Sequence, residues 1–439
     1  MSPALMTVLL FGALFIVVLA GLPICFAIGG VAMIFSLLLW GPDGLYMVAH
    51  SASGLMQNLI LIAIPLFVLM ANVLERSGVA EALYNAAHQW MGPLRGGLSV
   101  GTVMICTIFA AMSGLSATAT VTMGLIALPA MIKRGYDKKM TMGAIMAGGA
   151  LGQLIPPSTM FIMYSMLSRK SVGHLFMGGI IPGLIQSAIY SVYILTRCWF
   201  KKELGPPLPP EERVSLREKV ILLKGLILPA MIILFVLGSI YFGICTPTEA
   251  AAIGAMSAII SAAIYRRLNW TMFKEACYRT LSISTMVMWI IFGSFCLSGI
   301  YTALGGSQAI LAVLEGLPGG RWVPIFLMMG ILLILGCFID PGGILMLCVP
   351  IFLPVVTALG FDPIWFGIIF VMNMEIAFLT PPVGANLFYM KGVAPEGTTV
   401  MDIYRGAIPF VGLQALGMVI VMIFPRLALW LPSIMWARS

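Results

Sequence analysis

Long apolar runs recur from one end of the 439-residue chain to the other, and they restrict the possible folds more than any other feature. Inside a bilayer the backbone N–H and C=O groups find no water, so a spanning segment must satisfy them itself, as an α-helix does. Hydrophobic residues make up 61% of the chain and charged residues only 9%, a balance that is not typical of soluble proteins. The sequence therefore predicts an all-α polytopic membrane protein.

The remaining composition favours a membrane protein with neither an appended soluble domain nor a transition-metal site. The first apolar run, residues 4–20, has no basic residue before it, which favours a transmembrane helix over a cleaved signal peptide. The eight cysteines form no CxxC pair and the three histidines lie far apart, so we expect the cysteines to be packing residues. The net charge of +8 is typical of cytoplasmic loops that face anionic lipid.

The two halves of the chain resemble each other at an offset of 225 residues. Unusual residues coincide at this offset more often than chance allows, which predicts two structural repeats. The matching pairs include Pro93 and Pro318, the Leu-Pro pairs at 128–129 and 353–354, Gly135 and Gly360, Asp137 and Asp362, the Pro-Pro pairs at 156–157 and 381–382, and Tyr164 and Tyr389.

Basic residues indicate that the two repeats are inverted. Residues 133–139 carry four basic side chains, whereas the matching loop 358–364 carries none. By the positive-inside rule the first loop is cytoplasmic and the second is not. The other basic segments on the inside are 201–219, Arg266 with Arg267, and Lys391, whereas Arg169 and Lys170 fall outside as an exception. Inverted repeats with interrupted helices are typical of secondary transporters.

Each half also contains an interrupted apolar hairpin. The run 98–132 is interrupted by polar and small residues at 112–120, and the run 323–357 is interrupted at 339–343. Each arm is about 15 residues long, too short to cross a hydrocarbon core of roughly 30 Å, so we expect re-entrant hairpins with polar tips near the membrane middle. Asp340 followed by Pro341 predicts a helix N-terminus at the second tip.

The double prolines predict broken helices, because a proline pair removes two backbone donors and clashes with the preceding turn. A broken helix exposes carbonyls at one half-helix end and N–H groups at the other, which can hold cations and anions respectively. Each hairpin tip is therefore expected to form a site with one break. The first site combines Ser113, Gly114, Ser116, Thr118, Gln153, Ser158 and Thr159, and the second combines Asp340, Gly342, Gly343, Thr380, Val383, Gly384 and Asn386.

Simpler explanations exist for each of these features. A proline pair can merely kink a helix, Asp340 can be a structural cap, and small residues at a tip can serve close helix packing. An aspartate at the membrane centre costs about 2.5–3.5 kcal/mol on insertion scales, which favours a function for Asp340. Glu375 is also intramembrane, and a salt bridge or helix-end position explains it as well as a function does.

The repeats divide the chain into scaffold and transport segments, and two amphipathic stretches, 79–92 and 270–280, are polar enough to lie in the interface as connecting arms. Surface helices would explain these stretches equally well. The expected segments are 1–97 for the first scaffold helices and arm, 98–198 for the first half of the transport domain, 199–220 for a cytoplasmic linker, 221–322 for the second scaffold helices and arm, and 323–439 for the second half of the transport domain.

With these motifs in hand, the chain resembles the large membrane subunit of tripartite ATP-independent periplasmic (TRAP) transporters, the DctM-like family. The resemblance extends over essentially the whole chain. The segments that carry it are MSGLSATATVTMG at 112–124, LGQLIPPS at 151–158, CTPTEAAAIGA at 245–255, FIDPGGILML at 338–347 and LTPPVGANLF at 379–388.

The resemblance implies an elevator-type carrier in the bacterial inner membrane, driven by a sodium gradient. It also implies a small four-helix membrane subunit (DctQ-like), a periplasmic solute-binding protein (DctP-like) and an organic-acid substrate. By motif, one sodium site would use Ser113, Gly114, Ser116, Thr118, Gln153 and Ser158, the other Asp340, Gly342, Gly343, Thr380, Val383 and Gly384, and the substrate would contact Ser116, Thr120, Thr159 and Asn386. Ala119 stands where many members have an aspartate, which bears on the substrate class.

Other function classes receive less support from the residues. A proton-coupled carrier or an ion channel on the same fold is the main alternative, although a channel requires a continuous polar path and the polar residues cluster at two tips. The chain contains neither a GxxxxGK[ST] loop nor an HExxH motif, so we expect neither a nucleotide-driven pump nor an intramembrane metalloenzyme.

Overall fold

The computed structural model describes residues 3–306 and 318–436 of the chain, and all regular secondary structure within these ranges is helical. Nine of the described helical segments are long and apolar enough to cross a membrane. Residues 1–2 of the expected first scaffold segment, residues 307–317 of the second scaffold segment and residues 437–439 of the last segment lie outside the described residues.

The helices follow one another with short connections. In chain order they are α1 Pro3–Leu19, α2 Ile24–Trp40, α3 Gly44–Met56, α4 Ala63–Arg76, α5 Val79–Met91, α6 Gly97–Ser113, α7 Ser116–Lys133, α8 Lys138–Ala150, α9 Thr159–Ser168, α10 Val172–Phe200, α11 Leu216–Tyr241, α12 Pro247–Ile264, α13 Trp270–Ala303, α14 Trp322–Gly336, α15 Pro341–Ala358, α16 Pro363–Leu379, α17 Ala385–Val393, α18 Val400–Ile423 and α19 Arg426–Trp436.

Local capping explains where several helices begin. Asp137 accepts a hydrogen bond from the backbone N–H of Met140 at 2.7 Å and so caps α8, and Asp362 accepts one from Ile364 at 2.6 Å and caps α16. The helix bounds repeat at the same spacing. α7 and α15 each have 18 residues and begin 225 residues apart. α8 and α16 also begin 225 residues apart, although their lengths differ.

The two halves of the chain interlock. In the first group of helices α2 packs on α13, while α4 packs on α12. In the second group α9 packs on α15 and α16 from the other half, and α17 packs on α7 and α8 in return. The far half of each broken helix therefore lies beside the hairpin of the opposite repeat, which brings the two breaks into one region of the protein.

The hairpins differ from expectation in length and in the width of the tips. α6 and α7 meet at residues 114–115, and α14 and α15 are joined by residues 337–340. The second arms, α7 and α15, have 18 residues, which is about 27 Å of helix. Both helices are long and apolar enough to cross a membrane, so the prediction of arms that are too short is wrong for these two helices, whereas the re-entrant course of the hairpins stays a prediction. The tips are narrower than expected because the polar residues 116–120 and the glycines 342–343 continue the helices.

Only one of the two expected arms is a separate element. α5 is a distinct helix, but residues 270–280 are the first three turns of the 34-residue helix α13, so the prediction of a second arm there is wrong. In the first half the chain breaks between α3 and α4, where the Asn58 side chain accepts from Ile60 N–H at 3.1 Å and Pro65 follows. At the offset of 225 both positions are isoleucine, so the helix continues.

One face of the protein gathers the basic loops and the linker. Arg134 in the loop after α7 forms an ion pair with Glu212 of the linker at 2.6 Å, and the Asp137 N–H donates to the Leu204 carbonyl at 3.0 Å. Lys139 reaches a carboxylate oxygen of Asp402 at 3.6 Å on the same face. These contacts place the first loop, the linker and the start of α18 together, as the positive-inside threading requires.

The opposite face contains the exceptional basic pair. The Tyr164 hydroxyl of α9 donates at 2.5 Å to the carbonyl of Pro363, which belongs to the loop 358–364. Arg169 and Lys170 follow directly after α9 and therefore lie at that end of the protein. In the structure, too, these two basic residues lie on the face opposite the other basic loops, against the positive-inside rule.

Candidate functional site

The first hairpin tip packs its backbone directly against the first helix break. Gly114 adopts a left-handed conformation with φ of 65°, and its N–H donates to the Ala110 carbonyl at 3.0 Å to close α6. A side chain on Gly114 would meet the Pro157 carbonyl, and one on Gly152 would meet the backbone of Leu115. Glycine on both sides of the contact is therefore what lets two irregular backbone segments touch.

Ser158 organises the first break. α8 is followed by a single 3-10 turn at Leu151–Gln153, and α9 begins at Thr159 with Ser158 as its N-cap. The Ser158 hydroxyl donates to the Gln153 carbonyl and accepts from the Phe161 N–H at 3.4 Å. The peptide bonds within both proline pairs, 156–157 and 381–382, are cis.

Several buried oxygens around the first tip and break have no hydrogen-bond partner. They are Oγ of Ser113, Oγ1 of Thr120, Oγ1 of Thr122 and Oε1 of Gln153. Buried polar atoms are normally paired, so a group of unpaired oxygens in one region needs a ligand or water. Oxygen donors of this kind suit a hard cation such as sodium. Thr118 is also buried at this end of α7, which adds another hydroxyl to the set.

Asp340 marks the second tip, as expected from its sequence position. Its carboxylate accepts from the Gly342 N–H at 3.0 Å, and Pro341 is the first residue of α15. The tip borders a cavity of about 290 Å³. The residues that line it come from the tip and from the second break: Gly336, Phe338, Ile339, Asp340, Pro341, Phe378, Val383, Ala385, Phe388 and Tyr389. The carboxylate of Asp340 is therefore accessible from a cavity of small-molecule dimensions.

The second break contributes Val383 to the lining of this cavity, while the polar groups of the break form hydrogen bonds within the protein. The Thr380 hydroxyl donates to the Ile376 carbonyl at 2.7 Å, and the Gly384 N–H donates to the Thr380 carbonyl at 3.2 Å. The Tyr404 hydroxyl of α18 donates to the Pro382 carbonyl at 2.8 Å. Tyr404 was not recognised from the sequence, where nothing distinguishes it from other tyrosines at helix ends.

A hydrogen bond joins the first tip to the second break. The Ser116 Oγ donates to Oδ1 of Asn386 at 2.8 Å, and Nδ2 of Asn386 donates to the Met146 carbonyl of α8 at 2.9 Å. Both side chains are buried. The sequence predicts Asn386 in the second site, but its amide group hydrogen-bonds to the first tip and to α8. The structure brings together two of the four residues expected to contact substrate.

The other two expected substrate residues occupy different positions. Thr120 lies one turn after Ser116 on α7, and its fully buried hydroxyl is approached by Gly149 of α8. Thr159 is the first residue of α9, beyond the break. Gly343 approaches Ile24 of α2 and Gly342 approaches Met163 of α9, so the second tip also contacts helices outside its own repeat.

Glu375 belongs to a polar group that sequence reasoning did not identify as such. Glu375 is buried on α16. Its neighbour Tyr190 of α10 is also buried, as are Gln186 of α10 and Gln414 of α18 beside that tyrosine. A signal was present in the sequence, because Gln186 and Gln414 interrupt otherwise apolar helices. Within residues 3–306 and 318–436, no group of three or more His, Cys, Asp or Glu side chains is close enough to hold a metal ion.

Sequence comparison gives a family match and full-length relatives. The family model "Tripartite ATP-independent periplasmic transporter, DctM component" matches residues 11–427. The C4-dicarboxylate TRAP transporter large permease protein DctM of Pseudomonas aeruginosa is 34% identical over 407 residues, covering 92% of this chain and 93% of that protein. The isethionate TRAP transporter permease protein DctMQ of Oleidesulfovibrio alaskensis is 32% identical over 424 residues, covering 96% of this chain but 65% of that protein.

Structural comparison places the fold among known transporters. The crystal structure of the Alcanivorax borkumensis YdaH transporter matches with a TM-score of 0.66 and covers 92% of this chain and 96% of that chain. The sequence identity in this alignment is 14%, so the likeness concerns the fold alone.

Proposed function

The chain belongs to the DctM component family of tripartite ATP-independent periplasmic transporters, and we propose that it imports an organic acid together with sodium ions. As a member of this family it is a large permease subunit, a multi-pass protein of the bacterial inner membrane and not an enzyme. Sodium coupling, the carboxylate substrate and the elevator movement are the parts that we propose.

The observation that carries the proposal is the pairing of each hairpin tip with a helix break. At the first tip, unpaired buried oxygens of Ser113, Thr120 and Gln153 offer ligands for a cation. At the second tip, the Asp340 carboxylate borders the cavity and supplies a negative charge. One sodium site would therefore use Ser113, Gly114, Ser116, Thr118, Gln153 and Ser158, and a second would use Asp340, Gly342, Gly343, Thr380, Val383 and Gly384.

The substrate would bind between the two tips. We assign Ser116, Thr120, Thr159 and Asn386 to it, because the bond between Ser116 and Asn386 connects the first hairpin tip to the second helix break. The relatives' names, which specify a C4-dicarboxylate and isethionate, support an anionic substrate. Helix N-termini at the breaks offer N–H groups and a positive dipole end to such an anion.

We also propose a movement of the transport helices and two partner proteins, from the packing of the two halves and from the family of the chain. The interlocked halves, with a separate arm α5 beside α6, fit inverted repeats in which a transport group of helices moves past a scaffold. A tripartite family implies two further components, and the DctMQ relative is longer than this chain. We infer a small four-helix membrane subunit (DctQ-like) and a periplasmic solute-binding protein (DctP-like) that delivers the substrate.

The test is uptake into proteoliposomes that contain the chain with its membrane subunit and solute-binding protein. Radiolabelled succinate, a C4-dicarboxylate, serves as the first probe, with unlabelled organic acids as competitors. An inward sodium gradient is expected to drive uptake, whereas a potassium gradient of equal size is not. Uptake that follows an imposed pH gradient and ignores sodium would overturn sodium coupling in favour of a proton-coupled carrier, for which the buried Glu375 is the candidate residue.

A further inference from the structure

A second polar group lies inside the protein, between α10, α16 and α18, which pack on one another. We call Glu375, Tyr190, Gln186 and Gln414 the Glu375 cluster. All four residues are at most 2% exposed. The unpaired atoms are Oε1 of Glu375, the hydroxyl of Tyr190, Oε1 of Gln186, and both amide atoms of Gln414. A buried polar atom without a partner is costly, and a bound ligand or water would supply partners to this group.

The cluster is held together by contacts between the three helices. Gln186 and Gln414 flank the Tyr190 hydroxyl, and Glu375 is a neighbour of the same tyrosine. Nε2 of Gln186 donates to the Leu413 carbonyl at 3.1 Å, which fixes the amide and leaves its oxygen free. Packing of the Tyr190 ring against Phe410, with ring centroids 5.6 Å apart, fixes the tyrosine. Gln186 and Gln414 also lie within side-chain hydrogen-bonding reach of the Tyr190 hydroxyl, so the tyrosine and the two amides help to hold one another in place.

Glu375 points away from the second hairpin and its cavity. Nδ2 of Asn373 donates to the Met329 carbonyl of α14 at 2.9 Å, and Ala377 faces Gly336 of α14. Both residues stand two positions from Glu375, and two positions turn an α-helix by about 200°. The Glu375 side chain therefore leaves α16 on the face opposite the second hairpin, so the cluster is separate from the Asp340 site.

The charge of Glu375 has no protein partner. None of the ion pairs formed within the described ranges includes it. An isolated carboxylate in a low-dielectric interior is expensive, so a buried acid without a protein partner either holds a proton or is compensated by a bound cation. The neighbouring amide and hydroxyl oxygens are neutral hard ligands, the type that suits sodium.

We propose that Glu375, Tyr190, Gln186 and Gln414 form a third sodium site, separate from the two hairpin tips. Sodium binding at this site does not depend on the proposed transport, but any role in coupling rests on it. Because Glu375 is five residues before Thr380, the C-cap of the same helix, an ion in the cluster stabilises the end of α16 that leads into the second break. The site would thereby link ion occupancy to the geometry of that break.

The test is equilibrium binding of radioactive sodium to the purified full chain in detergent, counted as ions bound per chain at saturation. Glu375→Gln removes the charge and keeps the shape, and Gln414→Leu removes the neutral ligand while keeping the carboxylate. Glu396→Gln removes a charge from an exposed loop and is the matched control. We expect each cluster variant to bind about one sodium ion fewer than the unchanged chain, and the control to bind as many.

A comparison with Asp340→Asn separates this inference from the proposed tip sites. If Asp340→Asn lowers binding while Glu375→Gln and Gln414→Leu bind as much as the unchanged chain, the third site is overturned and the tip site stands. That result is also expected if water or a proton fills the cluster. If the two cluster variants lose an ion and Asp340→Asn loses none, the third site stands and the Asp340 site fails. An unchanged chain that binds no sodium overturns both.

Discussion

The hydroxyl of Ser116 donates a hydrogen bond to the side-chain oxygen of Asn386 at 2.8 Å, although 270 residues separate them in the chain. Ser116 begins the helix after the first hairpin tip, and Asn386 lies just beyond the second helix break. The bond therefore ties the two halves of the protein together at the point where the proposed substrate would bind.

Removal of the Ser116 hydroxyl is expected to destabilise the protein. Ser116→Ala leaves the oxygen of Asn386 buried without its donor, which costs about 1–3 kcal/mol of unfolding free energy. Thermal unfolding in detergent with choline as the only cation measures this cost without a contribution from bound sodium. Combining Ser116→Ala with Asn386→Leu should cost less than the sum of the two single changes.

The control for this pair is Ser433→Ala. The Ser433 hydroxyl is exposed and bonds to the Trp430 carbonyl of its own helix, so its loss should change stability by less than about 0.5 kcal/mol. Strictly additive effects of the Ser116 and Asn386 variants would contradict a direct bond between these side chains.

Gly114→Ala and Gly360→Ala form a matched pair that isolates the contact between tip and break. Both glycines are left-handed, with φ of 65° and 74°, so alanine costs about 1–2 kcal/mol at either position. A side chain at Gly360 meets open space, whereas one at Gly114 meets the Pro157 carbonyl. Thermal unfolding should therefore show a clearly larger loss for Gly114→Ala. Equal losses of stability in the two variants would contradict close packing of the first tip against the first break.

Sodium should stabilise the purified chain in a saturable way. An ion that binds only the folded state adds RT ln(1 + [Na⁺]/Kd), which is about 2.7 kcal/mol at a hundredfold excess over Kd. The melting temperature should rise with sodium but not with potassium or choline at equal ionic strength. Asp340→Asn should reduce the rise, whereas Asp43→Asn, an exposed carboxylate after α2, should not. A rise of equal size in Asp340→Asn would remove Asp340 from the sodium ligands.

The basic face should lie in the cytoplasm. Lys202→Cys places a thiol in the linker, and Thr357→Cys places an exposed one beside the loop 358–364 on the other face. A membrane-impermeant maleimide added to intact spheroplasts should modify Thr357→Cys and spare Lys202→Cys, with the unsubstituted chain as the background. The reverse labelling pattern would invert the topology and the direction of transport inferred from it.

The elements that were predictable from the sequence depend on local chemistry. Asp340 with Pro341, and Asp362 with Pro363, mark helix starts because a carboxylate accepts from N–H groups two or three residues away. The proline pairs mark breaks for a similarly local reason. The expected arm at 270–280 was wrong because polarity alone does not end a helix, and this stretch contains neither proline nor glycine.

The sequence by itself determined the class of protein, the helical segments, the internal repetition and the family. Each of these depends on composition, on local capping or on residues that recur at a fixed offset. Only the tertiary structure decided that Asn386 meets Ser116, and that Glu375 lies near Tyr190, with its two glutamine neighbours, rather than at the hairpin cavity. In a membrane protein almost every helix face is apolar, so periodicity does not reveal which faces pack together and which meet lipid.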